Sequence, residues 1–190
     1  MAEDEKKSIK AWEGDLPVSA FLEEWEILEE KAAICIGQHP ESELGHFFLG
    51  RAKNGLKRYE EAIADFNKAI QINDKFDVAY YLRGSTKAEL KQFEEAIADF
   101  DRAIEINDRF GKAYIKRGDA NDIQGLYKEA IADYDKAIEV NPADVDARDN
   151  RAAAIASLRA QETQDKILEA YEKNIKTITA TDQILSLIHI

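Results

Sequence analysis

Apolar residues in the middle of the chain return at helical spacing. Phe93, Ala96, Ile97, Phe100, Ala103 and Ile104 fall three, one, three, three and one residues apart. That is the stripe of an amphipathic helix and not the alternation of a strand. The stretch is also a copy. EEAIADF occupies residues 60–66 and 94–100, and KEAIADY occupies 128–134, each copy beginning 34 residues after the one before. Extended outward, the copies define three ungapped blocks at 43–76, 77–110 and 111–144. A period of this length signals stacked supersecondary units that bury their apolar faces on one another.

Each block divides into two helical stretches. In the second block they run over about 77–90 and 93–106, with KQ between them and ND closing the unit. Asn73, Asn107 and Asn141 end the second stretches, where asparagine is expected to take up a left-handed turn. Gly50, Gly84 and Gly118 recur inside the first stretches, although glycine costs a helix interior about 1 kcal/mol relative to alanine. A cost repeated three times predicts a packing need, met when a partner helix comes close. Ala62 and Ala69, Ala96 and Ala103, and Ala130 and Ala137 offer small surfaces on the second stretches. Tyr59 and Phe66, Phe93 and Phe100, and Tyr127 and Tyr134 fill the space on either side. Small beside large at fixed register predicts one close-packed interface made three times.

The spacing of Gly50, Tyr59, Ala62, Phe66 and Ala69, copied twice more, resembles the tetratricopeptide repeat over 102 of the 190 residues. The resemblance implies an all-α fold: an α-solenoid of three stacked helix–turn–helix repeats with capping helices at both ends. The pattern has departures. The family's leucine before the glycine is Leu49 in the first block but Arg83 and Arg117 afterwards. The closing proline appears only as Pro142, with Asp74 and Asp108 earlier, and Lys53, Lys87 and Asn121 stand where an aromatic is common. These changes predict a more polar surface between the paired helices.

The flanks read as caps. Residues 17–42 hold an N-terminal capping helix over 18–36, opened by Pro17 and followed by Gly37. Its apolar face is Phe21, Leu22, Trp25, Leu28, Ala32 and Cys35, with Glu23, Glu24, Glu26, Glu29 and Glu30 toward water. Residues 1–16 read as a flexible acidic segment in which Trp12 has no assigned part. Residues 145–184 read as a partial fourth repeat and a C-terminal capping helix. Its first helix, 145–158, carries Ala152 at the glycine position. Its second, 165–179, is expected to turn Ile167, Leu168, Tyr171, Ile175 and Ile178 inward, although Gln164 and Tyr171 replace the alanines. The final LSLIHI, residues 185–190, resembles one reading frame of the transposase adaptor end used in preparing sequencing libraries. These six residues read as an adaptor artefact, and the natural chain is expected to continue differently past Ile184.

Charge narrows the partners. The formal net charge is −12, and residues 1–42 alone carry 11 acidic against 4 basic side chains. Such a chain repels phosphate backbones and anionic lipid, so neither nucleic acid nor a membrane is expected as partner. The start lacks the apolar run of a secretory leader, and about 18 consecutive apolar residues occur nowhere, so a cytoplasmic location is expected. Cys35 is the single cysteine; among Ala32, Ala33, Ile34 and Ile36 it reads as a small buried hydrophobe. His39 and His46 straddle Pro40 without a cysteine cluster, so no metal site is expected. Phosphate-loop, dinucleotide and nucleophile-elbow motifs are lacking. Neither a catalytic constellation nor a cofactor is expected, and the chain reads as no enzyme.

What remains is function by surface. The resemblance implies that the first helices line a concave groove that binds a peptide segment of a partner. The groove positions are Leu44, Phe47, Arg51 and Asn54, then Val78, Tyr81, Ser85 and Ala88, then Lys112, Ile115, Asp119 and Asp122, with Lys116 beside them. Phe47, Tyr81 and Ile115 read as an apolar row that the core does not require, and so as ligand anchors. Arg51 and Lys112 flank the row, and Asp119, Asp122, Asp146 and Asp149 make its far end negative. Family members that grip a terminal carboxylate use a five-position clamp. Lys112 and Lys116 match it, but Phe47, Arg51 and Leu82 do not, so the resemblance implies no such clamp here. The leading expectation is a monomeric scaffold or adaptor for a protein or peptide segment. The alternatives are the interaction region of a longer enzyme or regulator, and a self-associating structural module.

Overall fold

The computed structural model describes the backbone of residues 21–188 and the side chains of residues 24–179. Eight helices account for the regular structure of the described residues: α1 (Phe21–Gln38), α2 (Glu43–Gly55), α3 (Tyr59–Ile72), α4 (Asp77–Glu89), α5 (Phe93–Ile106), α6 (Gly111–Ile123), α7 (Tyr127–Val140) and α8 (Val145–Ile188). They belong to two compact units, residues 1–106 and 107–190. Expectations for residues 1–16, Pro17 and the side chains of Phe21, Leu22 and Glu23 lie outside the described residues, as do those for 189–190.

In the first unit α2 pairs with α3 and α4 with α5, and α3 packs on α4. Ala62, Phe66, Ala69 and Ala79 are fully buried with Phe47, and Phe48, Ile70, Phe76, Val78 and Leu82 pack around them. The glycines do what their recurrence predicts. A methyl group on Gly50 would lie 2.8 Å from the Phe66 ring, and one on Gly84 would lie 2.9 Å from Phe100. Each ring sits on bare backbone, so the helix pair closes without a void. Helix α1 caps this unit by the same device. Trp25 lies against Gly55, where a methyl group would come within 2.3 Å of the indole. Ala32 is buried, and Arg58 donates to Glu29 at 2.7 Å and to Glu61 at 2.6 Å.

The second unit holds the α6–α7 hairpin and α8, which packs on α7 and also touches α6. Ala130, Tyr134 and Ala154 form its core, with Ile115 and Ile131 against them. A methyl group on Gly118 would meet the Tyr134 ring at 2.8 Å.

Two sequence expectations change. The helix-closing asparagines are not left-handed: Asn73 and Asn141 are extended, with φ of −132° and −135°. Their side chains cap the turn instead, because Asn73, Asn107 and Asn141 each accept a hydrogen bond from the N–H two residues on, at 3.1–3.2 Å. Asparagine is favoured there for its acceptor and not for its tolerance of positive φ. The left-handed positions lie between the two helices of each block, at Lys57 (59°), Lys91 (60°) and Gly125 (76°), again 34 residues apart. The second change is in α8. It runs unbroken for 44 residues, where a break after 158 was expected. Its first turns cap the unit through the fully buried Ala147 and Ala154, but Ile167, Leu168, Tyr171, Ile175 and Ile178 are 45–64% exposed and face no core.

Candidate functional site

The departures from the sequence pattern converge inside the hairpins. Asp99 and Asp133 are 3% and 4% exposed. A buried carboxylate is tolerated only when paired and hydrogen-bonded. Arg83 supplies a two-pronged contact to Asp99, whose second oxygen also receives Lys87 at 2.8 Å. One block later Arg117 grips Asp133 in the same way, and Asn121 donates to it at 3.1 Å. In the first block Leu49 replaces the arginine, and Lys53 alone reaches Asp65 at 2.7 Å, with His46 at 3.8 Å. The aspartate of the duplicated motif thus meets a cation that replaces the family's leucine or aromatic. Along the sequence those cations stand out only as departures from the family pattern. The signal that could have joined them is the constant separation of 16 residues between Arg83 and Asp99 and between Arg117 and Asp133. These groups hold helices together.

The expected docking positions fare unevenly. Phe47 is 6% exposed and lies among Phe48, Phe66 and Phe76, with ring centroids 4.8–6.2 Å apart. It belongs to the core, which corrects its assignment to a row the core does not need: Phe66 and Phe76 of the first block and Ala79 of the second close over it. Val78 and Leu82 also pack against that cluster while keeping part of their surface. Leu44, Arg51, Asn54, Tyr81, Ser85 and Ala88 are half-buried. Helices α2 and α4 are joined where Thr86 donates to Asn54 at 3.1 Å, and the Arg51 guanidinium lies 5.7–5.9 Å from the Phe47 and Phe48 ring centres. Ser85 is occupied with its own helix, donating to the Tyr81 carbonyl at 2.9 Å. This face is therefore apolar and cationic, on a frame that the core fixes.

In the second unit Lys112 and Lys116 are exposed and Ile115 is half-buried against Tyr134 and Ala154. Asp119 is the hub. It accepts from the Tyr134 hydroxyl and from Asn150, each at 3.0 Å, and pairs with Lys116 at 3.0 Å. Asn150 ties α8 to α6 as Thr86 ties α4 to α2. Burial, and then the neighbouring Asp119, hold the Asp122 carboxyl above the ordinary aspartate range. Burial, and then Asp119, push the Tyr134 hydroxyl well above its usual range, so it stays a proton donor to that carboxylate. Among the described residues no group of three or more histidines, cysteines or acids is arranged to hold a metal ion. None of their helices is long and apolar enough to cross a membrane.

Models of the tetratricopeptide repeat match residues 45–76, 78–110 and 111–144, together just over half of the chain. The chain is a tetratricopeptide-repeat (TPR) protein. Among solved structures it is similar to the first TPR domain of human RPAP3, at 27% identity and TM-score 0.62 over 65% of this chain and 98% of that one. The first TPR of Spaghetti (RPAP3), solved bound to the HSP90 peptide SRMEEVD, matches at 26% and 0.61 over 62% and 93%. The Arabidopsis OM64 TPR domain matches at 26% and 0.56 over 72% and 98%. No curated protein matches in sequence. TPR arrays are in general protein–protein interaction modules and typically not catalysts.

Proposed function

We propose that this TPR protein is a non-enzymatic adaptor that holds a peptide segment of a partner protein on the outward faces of its first helices. One observation carries the reading: Leu44, Arg51, Val78 and Tyr81 lie partly open on α2 and α4, on a frame fixed by the Thr86–Asn54 hydrogen bond and the Phe47 cluster. Rigid aromatic and arginine groups on a pre-formed surface are the usual anchors of binding. Ile115, Lys112 and Lys116 offer a similar combination on α6. The related RPAP3 domain supports peptide capture as the mode, but the ligand class differs here. Phe47 occupies a clamp position and is committed to the core, and Leu82 packs against the same cluster. A segment with an apolar anchor and an adjacent acidic residue fits Tyr81 and Arg51 better than a terminal carboxylate does.

The test is selection of a displayed random-peptide library on the full chain, followed by affinity measurement on the winners. Enriched sequences are expected to carry an aromatic or aliphatic anchor beside an acid. Tyr81→Ala should weaken them by about 30-fold, the scale of a hot-spot truncation, with helix content unchanged. Winners that bind Tyr81→Ala and Arg51→Glu variants as well as the parent would overturn the site.

A further inference from the structure

We propose that the distal part of α8 is a self-association helix, pairing antiparallel with the same segment of a second copy. Between residues 165 and 179 the charged side chains are Asp165, Lys166, Glu169, Glu172, Lys173 and Lys176, all on one side of the helix by their spacing. The other side carries Ile167, Leu168, Tyr171, Ile175 and Ile178, exposed by 45–64%. A helix segment so cleanly divided is built to have one face covered.

Among the described residues none supplies the cover. No glycine or proline occurs in the 44 residues of α8, and the helix continues through the place where each earlier block turns back. A membrane is a poor fit, because the polar face holds three acids and three lysines and gains nothing from anionic lipid. A second copy fits well. Leu168, Tyr171, Ile175 and Ile178 follow a four-three alternation after the first step of three, the spacing of a two-helix seam. Run antiparallel about Lys173, Leu168 meets Ile178 and Tyr171 meets Ile175, so all four layers are apolar and the surface is self-complementary, as a two-fold interface requires. The charges stay on the outer faces. Four layers are fewer than a permanent coiled coil uses, and the contact falls near or below the roughly 1,200 Å² at the small end of specific interfaces. The dimer is therefore transient and concentration-dependent, and the expected monomer is its dilute form. It makes the array bivalent, independently of what the docking faces bind.

Sedimentation of the full chain over about a hundredfold range of concentration should show the mass rise from one chain toward two. The Leu168→Glu, Ile175→Glu double variant should stay at one chain with the same circular dichroism, since both side chains lie outside the core. Orientation is read by cross-linking in a Cys35→Ser background. Leu168→Cys and Ile178→Cys chains should join by a disulfide when mixed under oxidation, and neither should join itself. A one-chain mass throughout, association that survives the double glutamate variant, self-linking of Leu168→Cys, or binding to lipid vesicles in place of dimerisation would each overturn the proposal.

Discussion

The second helices of the repeats and the distal half of α8 start from the same register and end in opposite surroundings. Leu168 stands 34 residues after Tyr134, which itself follows Phe100 and Phe66 at that interval. The three aromatic side chains are 0–2% exposed, whereas Leu168 is 56% exposed. Amphipathic spacing is present in all four segments, so it does not decide which of them folds back. Two local features do. Every hairpin passes through a left-handed residue, Lys57, Lys91 or Gly125, and the equivalent residue in α8, Arg159, is helical. Every hairpin also buries alanine at two positions, which α8 fills with Gln164 and Tyr171. Folding back would bury an amide without a partner and force a phenol ring where a methyl group fits, each costing more than about 1 kcal/mol. Staying straight exposes five apolar side chains, and the helix takes that course.

Truncation at the shared register tests the comparison most severely. Phe100→Ala should lower the stability to urea by about 3–5 kcal/mol, the usual cost of emptying a buried aromatic site. Leu168→Ala in dilute solution should leave it within about 0.5 kcal/mol, as for a surface position. A large loss from Leu168→Ala would mean that the stripe is packed within one chain and would sink both the contrast and the self-association built on it.

The glycine register gives a second, smaller contrast. Gly84→Ala places a methyl group 2.9 Å from Phe100 and 3.0 Å from the Ala96 carbonyl, an overpacking that should cost about 1–3 kcal/mol despite alanine's better helix propensity. Ala152, at the corresponding place in α8, is exposed. There the reverse change, Ala152→Gly, should cost only the propensity difference of about 1 kcal/mol. If thermal unfolding shows Gly84→Ala to be stabilising, the close approach of α4 and α5 is not a constraint.

How much of this could be read from the residues follows the same division. Fixed-interval features are legible: the paired helices of each repeat, and the recurrence of small and bulky residues where those helices meet. Each is a local rule made conspicuous by repetition. Features that depend on what lies across a helix pair are not. Phe47 alternates like a surface anchor along α2, and it is buried by Phe66 across the helix pair, by Phe76 at the end of its own block and by Ala79 of the next. Arg83 and Arg117 are polar departures along the chain, and only the fold brings Asp99 and Asp133 against them. The asparagines mark the helix boundary without fixing its dihedral, because the same residue both tolerates positive φ and caps with its carbonyl.

The turn itself yields the finest test. Lys91 holds a φ of 60°, where a side chain crowds the following carbonyl and costs about 1–2 kcal/mol that glycine avoids. Glycine also enlarges the freedom of the unfolded chain, which offsets part of that gain. Lys91→Gly should therefore stabilise the α4–α5 hairpin by no more than about 1 kcal/mol, and Gly125→Ala should destabilise the α6–α7 hairpin by a similar amount. Arg159→Gly is the informative companion. If the left-handed residue alone decides whether a helix turns back, this variant should bring the distal helix onto its own unit and hide Tyr171 from a fluorescence quencher. If the unburiable Gln164 and the oversized Tyr171 decide it, Tyr171 stays open to the quencher and only about 1 kcal/mol of helix stability is lost. The second outcome is expected: a glycine permits a turn, but only a buriable surface gives the chain a reason to take it.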